Sequence, residues 1–289
     1  MPLDRSRSAS IPTMPRLDTF IDVPGGRLKV VAEGDGPPIV LVHSAVVDLR
    51  SWDAMVPLLV RAGYRVIRYD TRGFGESTTE DVAFSNRADL VAVLDAAGAS
   101  QAAVVGNSRG AMIALDTILE SPERFVAYAW VGGGIGGYEG GEPSAAELAL
   151  FEEADKLESA GDAKGLLDLE LRIWLDGIGQ SPTRVPAALR DAFREMDGPL
   201  LQPGHVFGKP QPLEPNAASR LGELRIPTLV VVGALDTSGT RASAAHLAES
   251  VDGARFVTFP DVAHMVGMEA PDRLAALILE LLAPLPRWT

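Results

Sequence analysis

Short runs of Val, Ile, Leu and Ala alternate along this chain with longer stretches in which apolar residues recur every three or four positions. The runs at residues 38–43, 65–70, 102–107, 125–131, 227–234 and 254–260 are rich in apolar residues without strict alternation, the pattern of strands buried on both faces. Residues 17–23 and 27–33, joined by the turn signal Pro24-Gly25-Gly26, predict an antiparallel hairpin that opens the sheet. Between the runs, residues 51–62, 86–97, 110–120, 241–250 and 271–282 carry the spacing of amphipathic helices. Strand and helix in alternation predict an α/β fold, a mostly parallel sheet of about eight strands with helices on both faces.

The rhythm breaks once, between residues 132 and 215, where no buried strand is evident. This interval opens on a glycine-rich run, Gly132-Gly133-Gly134-Ile135-Gly136-Gly137, and continues with Ser144-Ala145-Ala146-Glu147, a capping-box pattern ahead of a stripe at Leu150, Phe151, Ala154 and Leu157. Helices are expected at 163–174 and 185–196, and the interval closes on Pro203, Pro210, Pro212 and Pro215, too many prolines for a helix interior. The organisation expected is a flexible tail at 1–16, a core formed by 17–134 and 216–289, and an inserted helical cap at 135–215.

With 289 residues, 46% of them hydrophobic, the chain can bury a sizeable core. No cysteine is present, which excludes disulfides, thiolate metal sites and a cysteine nucleophile and fits a reducing compartment. A net charge of −13 without a dense basic cluster argues against nucleic acid as a partner. The first residues lack the apolar run of a signal peptide, and nowhere does an apolar stretch reach the length of a spanning helix. A cytoplasmic protein without membrane association is expected, its oligomeric state open. No His-Glu-x-x-His, P-loop or dinucleotide fingerprint occurs, so neither a metal nor another cofactor is expected.

The chemistry-bearing segment is Gly106-Asn107-Ser108-Arg109-Gly110, which follows a predicted strand and precedes a predicted helix. That is the context of a nucleophile elbow, in which serine sits on a strained turn and side chains at the glycines would crowd neighbouring backbone. A serine hydroxyl needs a base, and the histidines are His43, His205, His246 and His264. His246 falls within a predicted helix and His205 in the proline-rich exit of the cap. His264 stands just past the last strand, at the edge where strand C-termini gather. Asp236, just past the preceding strand, is the acid that would fix the tautomer of His264. Negative charge on a tetrahedral intermediate requires two N–H donors, and those expected are the backbone groups of Arg109 and of Ala45 in His43-Ser44-Ala45.

These segments, with Tyr69-Asp70-Thr71-Arg72-Gly73-Phe74-Gly75-Glu76-Ser77 and Gly233 to Asp236, resemble the α/β-hydrolase superfamily over nearly the whole chain from Leu17 onward, apart from the cap. The resemblance implies an α/β-hydrolase fold, the triad Ser108, His264 and Asp236, and a bracing role for Asp70 and Arg72. Two departures stand out: Ser44 where the family usually has glycine, and Arg109 where it more often has Met, Leu or Gln.

A segment Asp48-Leu49-Arg50-Ser51-Trp52 resembles the 3-oxoadipate enol-lactonase branch, which implies that Arg50 or Arg109 could hold a substrate carboxylate. Candidate pocket residues are Ser44, Arg50, Trp174 and His205, with Phe151 also in the cap. Haloalkane dehalogenases and epoxide hydrolases resemble this scaffold but need Asp where Ser108 stands. The reading is a serine hydrolase acting on a small carboxylic ester or lactone through an acyl-enzyme. An enol-lactonase-like or C–C bond hydrolase, a perhydrolase, a lyase and a non-catalytic ligand-binding member of the fold remain open.

Overall fold

The computed structural model describes residues 16–289; the tail expected at 1–16 lies, but for Arg16, outside the described residues. Eight strands build the main sheet: β1 (Leu17–Val23), β2 (Gly26–Glu33), β3 (Pro38–Val42), β4 (Arg65–Tyr69), β5 (Ala102–Asn107), β6 (Phe125–Val131), β7 (Thr228–Gly233) and β8 (Arg255–Phe259). Their order across the sheet is β1-β2-β4-β3-β5-β6-β7-β8, and the short Thr78–Thr79 strand pairs with β2. β2 pairs antiparallel with both β1 and β4. From β4 to β8 every pairing is parallel, so the C-terminal ends of these strands form one edge.

Alternate side chains of each central strand enter opposite layers, as the pleat requires. Val40 and Val42 of β3, Val104 of β5 and Val230 and Val232 of β7 pack into one layer. Ile39 and Leu41, Val105, and Leu229 and Val231 pack into the other. This two-sided burial explains why the runs are continuously apolar. α2 (Asn86–Ala96), α3 (Arg109–Glu120) and α7 (Ser238–Ser250) cover the first face. α1 (Val56–Arg61) and α9 (Pro271–Leu282) cover the second.

The single helix expected at 51–62 is a 3-10 turn, Leu49–Trp52, followed by α1. The break has a local cause. Pro57 sits in the first turn of α1, where its missing N–H costs nothing, whereas inside a longer helix it would clash one turn earlier. Asp48 caps the preceding turn by accepting from the Arg50 N–H.

Between β6 and β7 the chain forms α4 (Ala145–Ala160), α5 (Ala163–Glu170), a π-helical turn Leu171–Asp176 and α6 (Ala187–Asp197). α4 begins with a complete capping box from Ser144 and Glu147. Leu171, Leu175, Phe193 and Met196 of this segment pack with Val46, Val47, Met265 and Met268 of the core. The helices thus lie over the loops that carry Ala45 and His264. α8 (Val266–Glu269) precedes α9, and 3-10 turns occupy Pro122–Arg124 and Ala217–Glu223. Among the described residues no helix is long and apolar enough to cross a membrane.

Candidate active site

The elbow between β5 and α3 departs from ordinary helix initiation. Ser108 occupies the N-cap of α3 with φ 56° and ψ −120°, and its side chain makes no capping bond. Among the described non-glycine residues it alone has positive φ. Serine at an N-cap ordinarily adopts extended backbone and accepts from the first turn; strain of this kind clusters at reactive positions. The flanking glycines are demanded by space. A Cβ on Gly106 would lie 2.4 Å from the Gly110 carbonyl oxygen, and one on Gly110 would lie 2.2 Å from that of Val42. The Arg109 N–H, first in the helix, has no carbonyl one turn earlier to bond and is available to an anion.

Three strand ends meet at this elbow. The Ser108 N–H donates to the Val131 oxygen at 2.9 Å, at the end of β6. The Asn107 amide donates to the Val131 oxygen at 3.0 Å and to the His264 oxygen at 3.3 Å. A Cβ on Gly132 would stand 3.2 Å from Asp236 Oδ2, 3.5 Å from the His264 oxygen and 3.6 Å from Asn107 Nδ2. Asn107, unremarked in sequence beyond its place in the elbow, is therefore the tie between the serine turn and the histidine loop. Its role is a tertiary contact that no local pattern announces.

His264 Nδ1 lies 2.8 Å from Asp236 Oδ2 and 3.0 Å from Oδ1. Asp236 Oδ1 also accepts from the Thr237 N–H at 2.7 Å. The Asp236 side chain is wholly buried, so an ionised carboxylate there depends on these donors. The Trp174 ring packs 4.8 Å from the imidazole, bringing the inserted helices against the base. With Nδ1 given to Asp236, Nε2 is the ring atom left for a proton from a nucleophile.

The histidine loop is anchored twice more. Buried Glu269, its carboxyl pushed up to about 7 by desolvation, accepts from the Ala263 N–H at 3.0 Å and pairs with Arg184 at 2.6 Å. Arg184 also donates to the carbonyls of Leu175, Asp176 and Asp261, joining the inserted segment to the histidine loop. Glu147 accepts from the N–H of Ser144 and, across the structure, from that of Ser238 at the start of α7, each at 2.6 Å. These backbone donors hold its carboxyl at about 2, despite desolvation acting the other way. The capping box was legible in sequence; the bond to Ser238 was not.

On the opposite side of the elbow, His43 is fully buried and burial lowers its pKa to about 4. Its Nε2 accepts from the Thr71 N–H at 2.9 Å, which leaves Nδ1 to donate to the Ser44 oxygen at 2.7 Å. Ser44 is buried by this arrangement, while Ala45 sits exposed in the next turn. Asp70 accepts from the N–H groups of Leu49 and Glu76, each at 2.8 Å. Arg72 clamps Asp89 through two bonds, at 2.6 and 2.9 Å. These contacts tie together the loops on this side of the elbow.

The remaining candidates are dispersed. Arg50 is held bidentately by Asp48, at 2.6 to 3.1 Å, which neutralises the guanidinium considered for a substrate carboxylate. His205 Nε2 lies 2.6 Å from the Gly73 oxygen and its ring packs on Phe207 at 4.5 Å. Among the described residues the groups in contact with the Arg109 guanidinium are neutral: Thr71 Oγ1 at 2.7 Å, Asn86 Oδ1 at 3.2 Å and the face of Phe74 at 4.9 Å.

Comparison with known proteins agrees with this architecture. The profile of the alpha/beta hydrolase family matches residues 39–277. Rhodomycin D methylesterase DauP of Streptomyces sp. (strain C5) is 31% identical over 273 residues, covering 83% of this chain and 89% of that protein. Epoxide hydrolase B of Mycobacterium tuberculosis is 36% identical over a shorter stretch of 120 residues, 38% of this chain and 34% of that protein. Among solved structures, the enol-lactonase from Burkholderia xenovorans LB400 superposes with a TM-score of 0.72 at 23% identity, covering 92% of this chain and all of that one (100%). The chain belongs to the alpha/beta hydrolase family and is a hydrolase.

Proposed function

We propose that the chain is a serine hydrolase that cleaves a small carboxylic ester or lactone through an acyl-enzyme. The observation that carries this reading is the buried Asp236–His264 hydrogen bond, 2.8 Å long, beside a serine held at φ 56° with its hydroxyl uncommitted to the helix. Likeness to a methylesterase over 83% of the chain supports a carboxylic ester as the substrate class. Serine at the elbow, rather than aspartate, favours acyl transfer over epoxide opening.

In this mechanism Ser108 Oγ attacks the substrate carbonyl while His264 Nε2 takes its proton. Asp236 holds Nδ1–H and stabilises the imidazolium. The backbone N–H groups of Ala45 and Arg109 receive the oxyanion. Collapse of the tetrahedral species breaks the carbonyl carbon–alkoxy oxygen bond, and the alcohol departs with the proton returned by His264. A water then gives its proton to the same nitrogen, attacks the acyl-enzyme, and Ser108 and the acid are released. The base must be neutral at the outset to take the proton.

The test is covalent. Intact-mass measurement after incubation with a fluorophosphonate should show one adduct on the protein and none on Ser108→Ala. A folded protein that gains no adduct would overturn the mechanism and favour a ligand-binding role. A panel of p-nitrophenyl esters of increasing chain length, run beside lactones, then assigns the acyl group and separates esterase from lactonase.

A further inference from the structure

One face of α3 carries Arg109, Met112, Ile113 and Asp116, at the spacing that stacks side chains along a helix. This face floors a cavity of about 610 Å³, bounded also by Asn86 and by a proline-rich wall that includes Leu213. The volume is that of small-molecule sites. None of Ser108, Asp236, His264 or Ala45 lines it.

The two ends of the cavity differ in charge. At one end stands the Arg109 guanidinium, hydrogen-bonded to a hydroxyl and an amide and stacked on a ring, with no carboxylate within ion-pair distance among the described residues. Its neighbours are otherwise disposed: Arg72 is paired with Asp89, Arg87 with Glu120 and Arg50 with Asp48. Desolvation opposes the Arg109 charge, and Asp89, clamped by Arg72, favours it only from a distance; a ligand carboxylate would supply a counter-charge in direct, bidentate contact. At the other end, seven residues or about 10 Å along the helix, stands Asp116, whose buried Oδ1 has no hydrogen-bond partner among the described residues. Apolar Met112, Ile113 and Leu213 lie between. Asp116 and Glu214 both border the space, and their negative charge disfavours a dianion.

We propose that this cavity binds a small monocarboxylate with an apolar body, its carboxylate on Arg109 and a hydrogen-bond donor at its far end on Asp116. The site is distinct from the reacting centre at Ser108 and does not depend on the hydrolytic reading. Because the same residue offers its backbone N–H to the oxyanion in the proposed mechanism, an occupant would sit directly behind the elbow.

Calorimetric titration of the full chain with caproate, caproamide and ε-aminocaproate tests the proposal. Caproate should bind at least about tenfold more tightly than its neutral amide, the difference expected of one charge-assisted contact. ε-Aminocaproate should bind more tightly than caproate. Arg109→Met should reduce caproate to the level of caproamide, and Asp116→Asn should remove the preference for the amino acid while leaving caproate bound. Met112→Trp, which fills the cavity, should abolish binding of all three, with thermal unfolding confirming that each variant is folded. Protein whose Ser108 has been blocked with fluorophosphonate should bind caproate as before. Equal binding of caproate and caproamide, no caproate binding up to about 10 mM, or loss of binding on blocking Ser108 would each overturn the proposal. Failure of Ser108 to label, with caproate binding intact, would instead strike the hydrolytic mechanism alone.

Discussion

Asp236→Asn isolates the carboxylate from the shape of the site, and its consequence follows from the bonds around it. The Thr237 N–H reaches Oδ1 at 2.7 Å and His264 Nδ1 reaches Oδ2 at 2.8 Å. An asparagine has one oxygen for these two donors. If its oxygen stays with Thr237, the amide NH₂ faces Nδ1, forces that atom to accept, and puts the ring proton on Nε2. The base is then blocked, and a loss on the order of 10⁴ in kcat, about 5 kcal/mol, is expected by analogy with a serine protease triad. If the amide flips, the tautomer is rescued but a buried N–H is left facing another donor, at about 1–3 kcal/mol. The imidazolium also loses its counter-charge. Either arrangement costs at least about tenfold. The assay is steady-state hydrolysis of a p-nitrophenyl ester, paired with the rate of fluorophosphonate labelling and with thermal unfolding to establish that the variant is folded. Turnover within about threefold of the parent would refute the reasoning, because even with its oxygen at the Oδ1 position, which both donors reach, asparagine sets its NH₂ against Nδ1 and removes the counter-charge of the imidazolium.

Three further outcomes are expected. Gly110→Ala places a Cβ 2.2 Å from the Val42 carbonyl oxygen, so urea unfolding should show a loss of about 3 kcal/mol or more, or no folded protein; a loss under about 1 kcal/mol would mean that β3 and α3 separate easily. His43 is depressed to about 4 from an ordinary 6.5, so the unfolded chain binds its proton first. His43 thus contributes stability above pH 6.5 that is lost as pH falls towards 4, about 3 kcal/mol in all, and His43→Gln, measured against the parent across that window, should remove this slope even though it weakens the protein at every pH. Glu147, held at about 2, contributes stability above its ordinary 4.5 that is lost on acidification; Glu147→Gln should therefore lose about 2 kcal/mol near neutrality, two charge-assisted bonds being weakened, and the gap from the parent should close as pH falls below 4.5. A constant gap in denaturation curves would show that charge is not the source.

The strands and the elbow were legible because their causes are local. Continuous Val and Ile runs record burial on both faces, and Gly106 and Gly110 record the crowding of a turn. The helix expected from residue 51 was interrupted because Pro57 and Asp48 act on the backbone more strongly than the apolar spacing above them. Partner choice was not legible. Arg50 and Arg109 looked equivalent as cations in sequence, yet Asp48, two residues away, takes the first, while the second hydrogen-bonds to a hydroxyl and an amide.

Sequence by itself determined the order of elements, the strained serine turn and the residue types able to do acyl transfer, since each depends on neighbours within a few positions. Tertiary structure alone decided that Asn107 ties the elbow to the His264 loop, that Glu147 joins the start of α4 to that of α7, and that Arg109 lines a cavity with no carboxylate within ion-pair distance of it among the described residues. Those are encounters between segments up to 157 residues apart, set by how the layers pack, and no pattern along the chain encodes which polar group will find which.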